Sequence, residues 1–425
     1  MIEQLPNVSA LDANNFPRHR WYFFKEAFSP AIVDHAMEAS DLKPGDRVVD
    51  PFSGSGTTPL AATMAGLIGA GTEVNPFMAF VARAKSTHST NRRFGTASKK
   101  ALSGMGDKQP HWLETFSTFS EHAELGQKRG KWLFNSEVLR AFGGGWEASR
   151  NLNPSERNLV QLCLIGAAMD VANAAKDGKC LRYRKDWQQL RLGRDDFEQA
   201  FLTRVSMVSE DIEKAPLKDR YADIKLGDSR SKAFDEAFDL CVTSPPYLNS
   251  FDYTDVYRPE LFLGEFVRNM GDLQALRLAT LRSHVQAKWT SPSQTDFGKH
   301  YEEASQELRK RSTLMWDRRL PEMVQAYFED MANVLLLMRS KAKPKASLSL
   351  IVSTSAYCGV EIPVDLIIAD IAIRNGWFLR EVTVLRYLKR LSGQQWHALN
   401  DRSTTRGPHL RESMVVIDAQ PRRLT

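Results

Sequence analysis

Ser244-Pro245-Pro246-Tyr247 follows the apolar run Phe238 to Thr243, a strand by pattern. Two successive prolines offer no N–H, so a strand ladder must stop there, and the carbonyls of Ser244 and Pro245 are freed as acceptors. A free carbonyl beside a serine hydroxyl can grip an exocyclic NH₂ group, and Tyr247 supplies a flat face on which a base can stack. A Pro-Pro loop with a packed tyrosine would account for this segment if it stood alone.

A second constellation lies near the N-terminus. Arg47 to Asp50 reads as a short buried strand ending on a carboxylate, followed by Pro51-Phe52-Ser53-Gly54-Ser55-Gly56-Thr57-Thr58. A glycine turn after a strand is weak evidence by itself, and the spacing is not that of a Walker phosphate loop, because no lysine follows Gly56. Ile68 to Thr72 is a small-residue strand closing on Glu73, and Ile224-Lys225-Leu226-Gly227 leads to Asp228. Three acidic strand ends, Asp50, Glu73 and Asp228, would lie along the carboxyl edge of a parallel sheet, where open α/β folds bind ligands. The second of them is placed to accept both hydroxyls of a ribose, and Asp228 an exocyclic adenine amine.

These two constellations together resemble the S-adenosylmethionine-dependent DNA amino-methyltransferases, which methylate N4 of cytosine or N6 of adenine. The resemblance covers most of the α/β part. It implies a Rossmann-like methyltransferase fold with a mostly parallel seven-stranded sheet. It implies S-adenosylmethionine as cofactor, held by Phe28, Ser29, Asp50, Pro51, Phe52, Gly54, Ser55, Gly56, Thr57, Glu73 and Asp228. Phe28-Ser29-Pro30 and its helix look like the methionine-side element, and Arg411-Glu412-Ser413 opens the final strand as often seen in such proteins. Ser244, Pro245, Pro246 and Tyr247 become the catalytic set, with Phe251 and Tyr253 as secondary stacking candidates. Serine at the first position of the four-residue motif favours N4 of cytosine; the alternatives are N6 of adenine, an RNA amine, or an inactive DNA-binding scaffold. Double-stranded DNA is the expected partner, and a restriction or phage-defence assembly is a natural setting. C5-cytosine chemistry is disfavoured because no Pro-Cys pair occurs.

The elements that must carry these residues can be read from patterning. Ser29-Pro30 caps a helix with Ile32, Val33 and Ala36 on one face; a second helix starts at Pro59 and stops near Gly66. Patterning makes 92–221 a helical insertion between two α/β parts, and the resemblance implies that residues 1–91 are the cofactor half of a methyltransferase domain and 222–425 its catalytic half. In that insertion Leu159, Leu162, Ile165 and Met169 recur on a helix capped by Asn153-Pro154 and ended at Gly178, and Phe197 to Ile212 recur on another. The cofactor half precedes the catalytic half, the reverse of the commonest order, so target recognition is judged on the insertions' own residues. The segment 258–320 is one candidate. The region 92–221 is the favoured one, with basic clusters at Lys128-Arg129-Lys131 and Arg182-Arg184-Lys185.

Composition sets the outer bounds. The 425 residues are 42% hydrophobic and 25% charged, ordinary for a folded protein. Four separated cysteines and scattered histidines, among them His284 and His300 read as surface residues, offer no metal site. The N-terminus lacks the layout of a signal peptide and no apolar run reaches about 20 residues, so a cytoplasmic protein without a membrane span is expected. Net charge is +6. From Arg374 to Thr425 ten Lys/Arg face four Asp/Glu, which places that excess in the C-terminal segment, and the loop Lys389 to Arg411 is expected to touch phosphate.

Overall fold

The computed structural model describes residues 9–106, 131–177, 180–217, 221–231, 234–388 and 410–421. Most of the basic loop, 389–409, and the pair Lys128-Arg129 lie outside the described residues. Eleven strands are described in chain order: β1 (Arg47–Asp50), β2 (Ile68–Glu73), β3 (Ala174–Asp177), β4 (Cys180–Tyr183), β5 (Asp223–Leu226), β6 (Phe238–Thr243), β7 (Ala342–Ser353), β8 (Ser355–Tyr357), β9 (Val360–Ile362), β10 (Phe378–Tyr387) and β11 (Arg411–Asp418).

Seven of them form one sheet in the order β10-β11-β7-β6-β1-β2-β5. The β5-β2-β1-β6-β7 run is parallel, and β11 is antiparallel to both of its neighbours, which returns β10 to the common direction. This is the expected Rossmann-like methyltransferase architecture.

The sheet is covered on both faces, as a parallel sheet must be, and the strands divide their side chains by alternation. Val48, Leu240, Val242 and Ile351 point to one side, against Ile32, Val33 and Ala36 of α1 (Pro30–Glu38) and Ala61 and Ala62 of α2 (Thr57–Met64). Val49, Cys241, Leu348, Leu350, Val352, Val415 and Ile417 point to the other, against the helices Leu320–Lys341 and Val364–Arg374. The start of α1 is as read, with Pro30 in its first turn and the Ser29 hydroxyl accepting the Ala31 N–H, and the helix ends at Glu38. The second helix begins two residues earlier than expected, at Thr57, because Gly56 takes a left-handed conformation (φ +87°) that lets the turn close directly onto it.

Between β2 and β5 the chain leaves the sheet. α3 (Pro76–Lys85) packs on β2 and β5, and the helices Asn91–Gly104, Ser136–Arg150, Pro154–Asp170 and Arg194–Lys214 pile onto it around Phe94, Phe134, Phe142, Leu164 and Phe201. The region is helical as expected, with one correction. The helix read as running to Gly178 stops at Asp170, and β3 pairs with β4 as an antiparallel hairpin. The candidate basic cluster is also partly engaged: Arg184 donates to the carbonyls of Ala172 and Asp170, and Arg182 pairs with Asp177. Lys185 remains exposed. His284 is buried rather than superficial, 2% exposed, against Thr280. Among the described residues no helix is long and apolar enough to cross a membrane.

Candidate active site

The carboxyl ends of β1, β2, β5 and β6 open onto one cavity of about 370 Å³, within the range of small-molecule sites. Pro51, Phe52, Glu73, Asp228, Ser244, Pro245, Pro246 and Tyr247 line it, together with Phe251 and Tyr253. Two motifs separated by almost two hundred residues of chain therefore meet in one place because β1 and β6 are neighbours in the sheet.

Asp50 does not line the cavity. It is 1% exposed, and it accepts hydrogen bonds from the Phe52 N–H at 2.9 Å and from the Thr243 hydroxyl at 2.5 Å. The acid thus ties the glycine turn to the last residue of β6, and so to the start of the Pro-Pro segment. Burial pushes its carboxyl up to about 7, against the opposing hydrogen bond from Thr243. A second tie joins the Ser229 hydroxyl to the Pro51 carbonyl.

Glu73 ends β2 and lines the cavity. Its two oxygens accept the N–H groups of Gly54 (2.7 Å) and Asn75 (2.8 Å). Burial raises it to about 7 while these backbone donors pull the other way. Gly54, Ser55, Gly56 and Thr57 shape the turn from behind rather than facing the cavity. A Cβ on Gly54 would come within 2.9 Å of the Phe24 ring, which packs over the turn. A Cβ on Gly56 would meet Ala82 of α3 at 2.8 Å. Position 56 is therefore closed by the neighbouring helix. Phe28 is buried in the core beneath α1 and Ser29 is its cap, whose hydroxyl donates to Asp12. Both position the N-terminal segment and neither lines the cavity. Asp228 does line it, with both oxygens held by the Arg230 guanidinium.

The Pro-Pro segment leaves the sheet where the sequence says it must: the β6 ladder ends at Thr243 opposite Leu350. Tyr247 stands half-buried in the cavity wall, its hydroxyl donating to Glu412 and lying within hydrogen-bonding reach of Ser244. Burial and the Glu412 charge push this phenol well above its usual range. Tyr253 packs edge-on to Phe251 with centroids 4.6 Å apart.

Residues without motif character complete the wall. Phe24, Lys25 and Glu26 come from the segment before α1, Asn75 and Met78 from the start of α3, and Tyr257 from the short helices after the Pro-Pro loop. Tyr257, 1% exposed, donates to Glu26 at 2.6 Å, and the ammonium of Lys176 on β3 lies 3.8 Å from its ring centroid. The signals for these were faint: an aromatic pair, Phe23-Phe24, just before a helix cap, and tyrosines at 253 and 257 one helical turn apart. Among the described residues no group of His, Cys, Asp and Glu is placed to hold a metal ion.

No family model matches the sequence. The chain is similar to the Type II methyltransferase M.BsoBI of Geobacillus stearothermophilus, with 24% identity over 89% of this chain and 82% of the relative. It is likewise similar to the Type II methyltransferase M.AvaI of Nostoc sp., with 26% identity over 89% and 83%. Among solved structures, TrmN from Thermus thermophilus aligns at a TM-score of 0.30 with 8% identity, over 94% of this chain and 52% of that one. At that overlap the structural match bears on neither substrate nor mechanism.

Proposed function

We propose that this protein is an S-adenosylmethionine-dependent DNA methyltransferase that methylates the exocyclic amine of a flipped base, N4 of cytosine. The observation that carries the reading is the one cavity lined both by a half-buried acidic strand end, Glu73, and by Ser244-Pro245-Pro246-Tyr247. The similarity over most of its length to Type II methyltransferases supports it.

The residues present fit the cofactor: an acid at the second strand end suits a ribose diol, Phe52 and Met78 supply apolar walls, and Asp228 offers carboxylate acceptors for an amine. When bound, S-adenosylmethionine would supply an electrophilic methyl group on a sulfonium. An aromatic exocyclic amine is a poor nucleophile because its lone pair is delocalised into the ring. Hydrogen bonds from its N–H groups to the Ser244 hydroxyl and the Pro245 carbonyl favour a pyramidal nitrogen with its lone pair directed outward. Placement then matters more than base strength, because the methylated ammonium is acidic and sheds its proton readily. A base in a duplex cannot reach this cavity without leaving the stack; Tyr247 takes over the stacking, with Phe251 and Tyr253 behind it. Serine at position 244 favours cytosine. The helical insertion and segment 258–320 are the candidate readers of the target, with Lys185 and the basic loop 389–411 on phosphate.

The test is transfer of labelled methyl groups from the cofactor to unmethylated duplex DNA by the purified protein. Transfer to DNA and not to RNA is expected; transfer to RNA alone would overturn the assignment.

A further inference from the structure

Glu412 lies outside both motifs, at the second residue of β11, and is 4% exposed. Its flanking residues face away from the cavity: Arg411 and Ser413 both bond Asp365 on the helix beneath. Glu412 points the other way. One of its oxygens accepts the Tyr247 hydroxyl, and the other accepts Nε of Arg386 on β10 at 2.6 Å. Arg386 and Glu412 are also register partners in the β10–β11 ladder, so the pair is fixed by the sheet itself. With Ser244 against the same phenol oxygen, four residues from three strand ends form one chain: Ser244, Tyr247, Glu412, Arg386.

The direction of such a chain is set by its end. Arg386 can only donate, so it holds Glu412 as an acceptor. Glu412 as carboxylate can only accept, so the Tyr247 hydrogen must point to it. The phenol oxygen then has only lone pairs to offer, and the Ser244 hydroxyl donates its single hydrogen there. What Ser244 presents to the cavity is therefore lone pairs alone. An exocyclic amine, whose N–H groups are donors, requires that polarity.

We propose that Glu412 is a positioning residue that acts through the Tyr247 hydroxyl to fix Ser244 as a hydrogen-bond acceptor for the amine of the target base. This rests on the reading of the cavity as an amino-methyltransferase site. Without Glu412 the serine and tyrosine hydroxyls are free to rotate and to point hydrogens at the amine, which opposes binding of its N–H groups.

The experiment is methyl transfer to unmethylated genomic DNA by wild type, Glu412→Gln, Tyr247→Phe, Ser244→Ala and the double variant Ser244→Ala/Glu412→Gln. S-Adenosylhomocysteine affinity and thermal midpoint are measured in parallel. Glu412→Gln should lower kcat roughly five- to thirtyfold, the scale of one or two hydrogen bonds near 1 kcal/mol each, with KM for DNA and cofactor affinity nearly unchanged. Tyr247→Phe should lose at least as much, which keeps the idea open to refutation if the glutamine variant fails to fold. In the Ser244→Ala background Glu412→Gln should cost nothing further. Activity of Glu412→Gln equal to wild type would overturn the proposal. So would an undiminished penalty in the Ser244→Ala background, which is the mark of a role in folding alone. A wild-type protein that binds cofactor but methylates no DNA would instead overturn the function on which the proposal stands.

Discussion

At the scale of single residues, Glu73 gives the sharpest test of cofactor placement. Its carboxyl is pushed up to about 7 by burial, and a ribose diol donates best to the ionised form. Ligand binding that prefers the carboxylate strengthens as pH rises toward 7 and levels off above it; below 7 it should weaken by up to about tenfold per pH unit. Calorimetry with S-adenosylhomocysteine between pH 5.5 and 8.5 checks this. Glu73→Gln should bind more weakly and without that slope. A wild-type affinity flat across the range would contradict the assignment. Pro51, Phe52, Glu73, Asp228 and the Pro-Pro set were legible from residue type and spacing, because each sits at a strand end that any reader of periodicity can find. Glu26 and Tyr257 were not, and Glu412 was legible only as part of the segment that opens the last strand, without a role. They reach the site through the packing of other elements, and no local pattern distinguishes a surface acid from one that faces a cavity.

At the scale of elements, the glycine turn and the antiparallel strand β11 carry the site's precision. Gly56 combines a left-handed φ with a Cβ path blocked by Ala82, so Gly56→Ala strains the backbone and pushes α2 from α3. The expected loss is about 1–3 kcal/mol of stability, read by denaturant unfolding, together with weaker cofactor binding because Phe52 and the Gly54 N–H move with the turn. Unchanged stability would mean the turn relaxes freely. Most helices and strands of the α/β part were legible to within a few residues. The β3–β4 hairpin was missed although Asp177-Gly178 is a hairpin turn signal, since the apolar helical run before it dominated the pattern. The phosphate contact expected of loop 389–411 falls largely outside the described residues.

At the scale of the whole molecule, the helical insertion is bound to the α/β core through the N-terminal segment. Arg18, fully buried, donates its backbone N–H to Asp211 (2.8 Å) and its guanidinium to the carbonyls of Ala215, Lys85 and Thr87. Asp211 also accepts Arg20 and the Trp21 indole. The apolar cluster runs without a break from α3 through the insertion to Val256, Leu261 and Leu263. One cooperative unfolding transition is therefore expected by calorimetry, and two separate transitions would show that the insertion is an independent unit. Asp211→Ala leaves the buried Arg18 backbone N–H and the Trp21 indole without their acceptor, and should cost about 2–4 kcal/mol at roughly 1–3 kcal/mol for each orphaned donor. None of this long-range tie could be read from the chain, because its partners lie almost two hundred positions apart.

The central claim concerns the product. Nucleoside mass spectrometry of DNA from cells expressing the wild type should reveal N4-methylcytosine. Ser244→Ala should reduce its rate of formation some 30- to 150-fold, about 2–3 kcal/mol by analogy with an oxyanion-hole donor, while cofactor affinity is retained. N6-methyladenine in its place, or N4-methylcytosine formed undiminished by Ser244→Ala, would contradict the account.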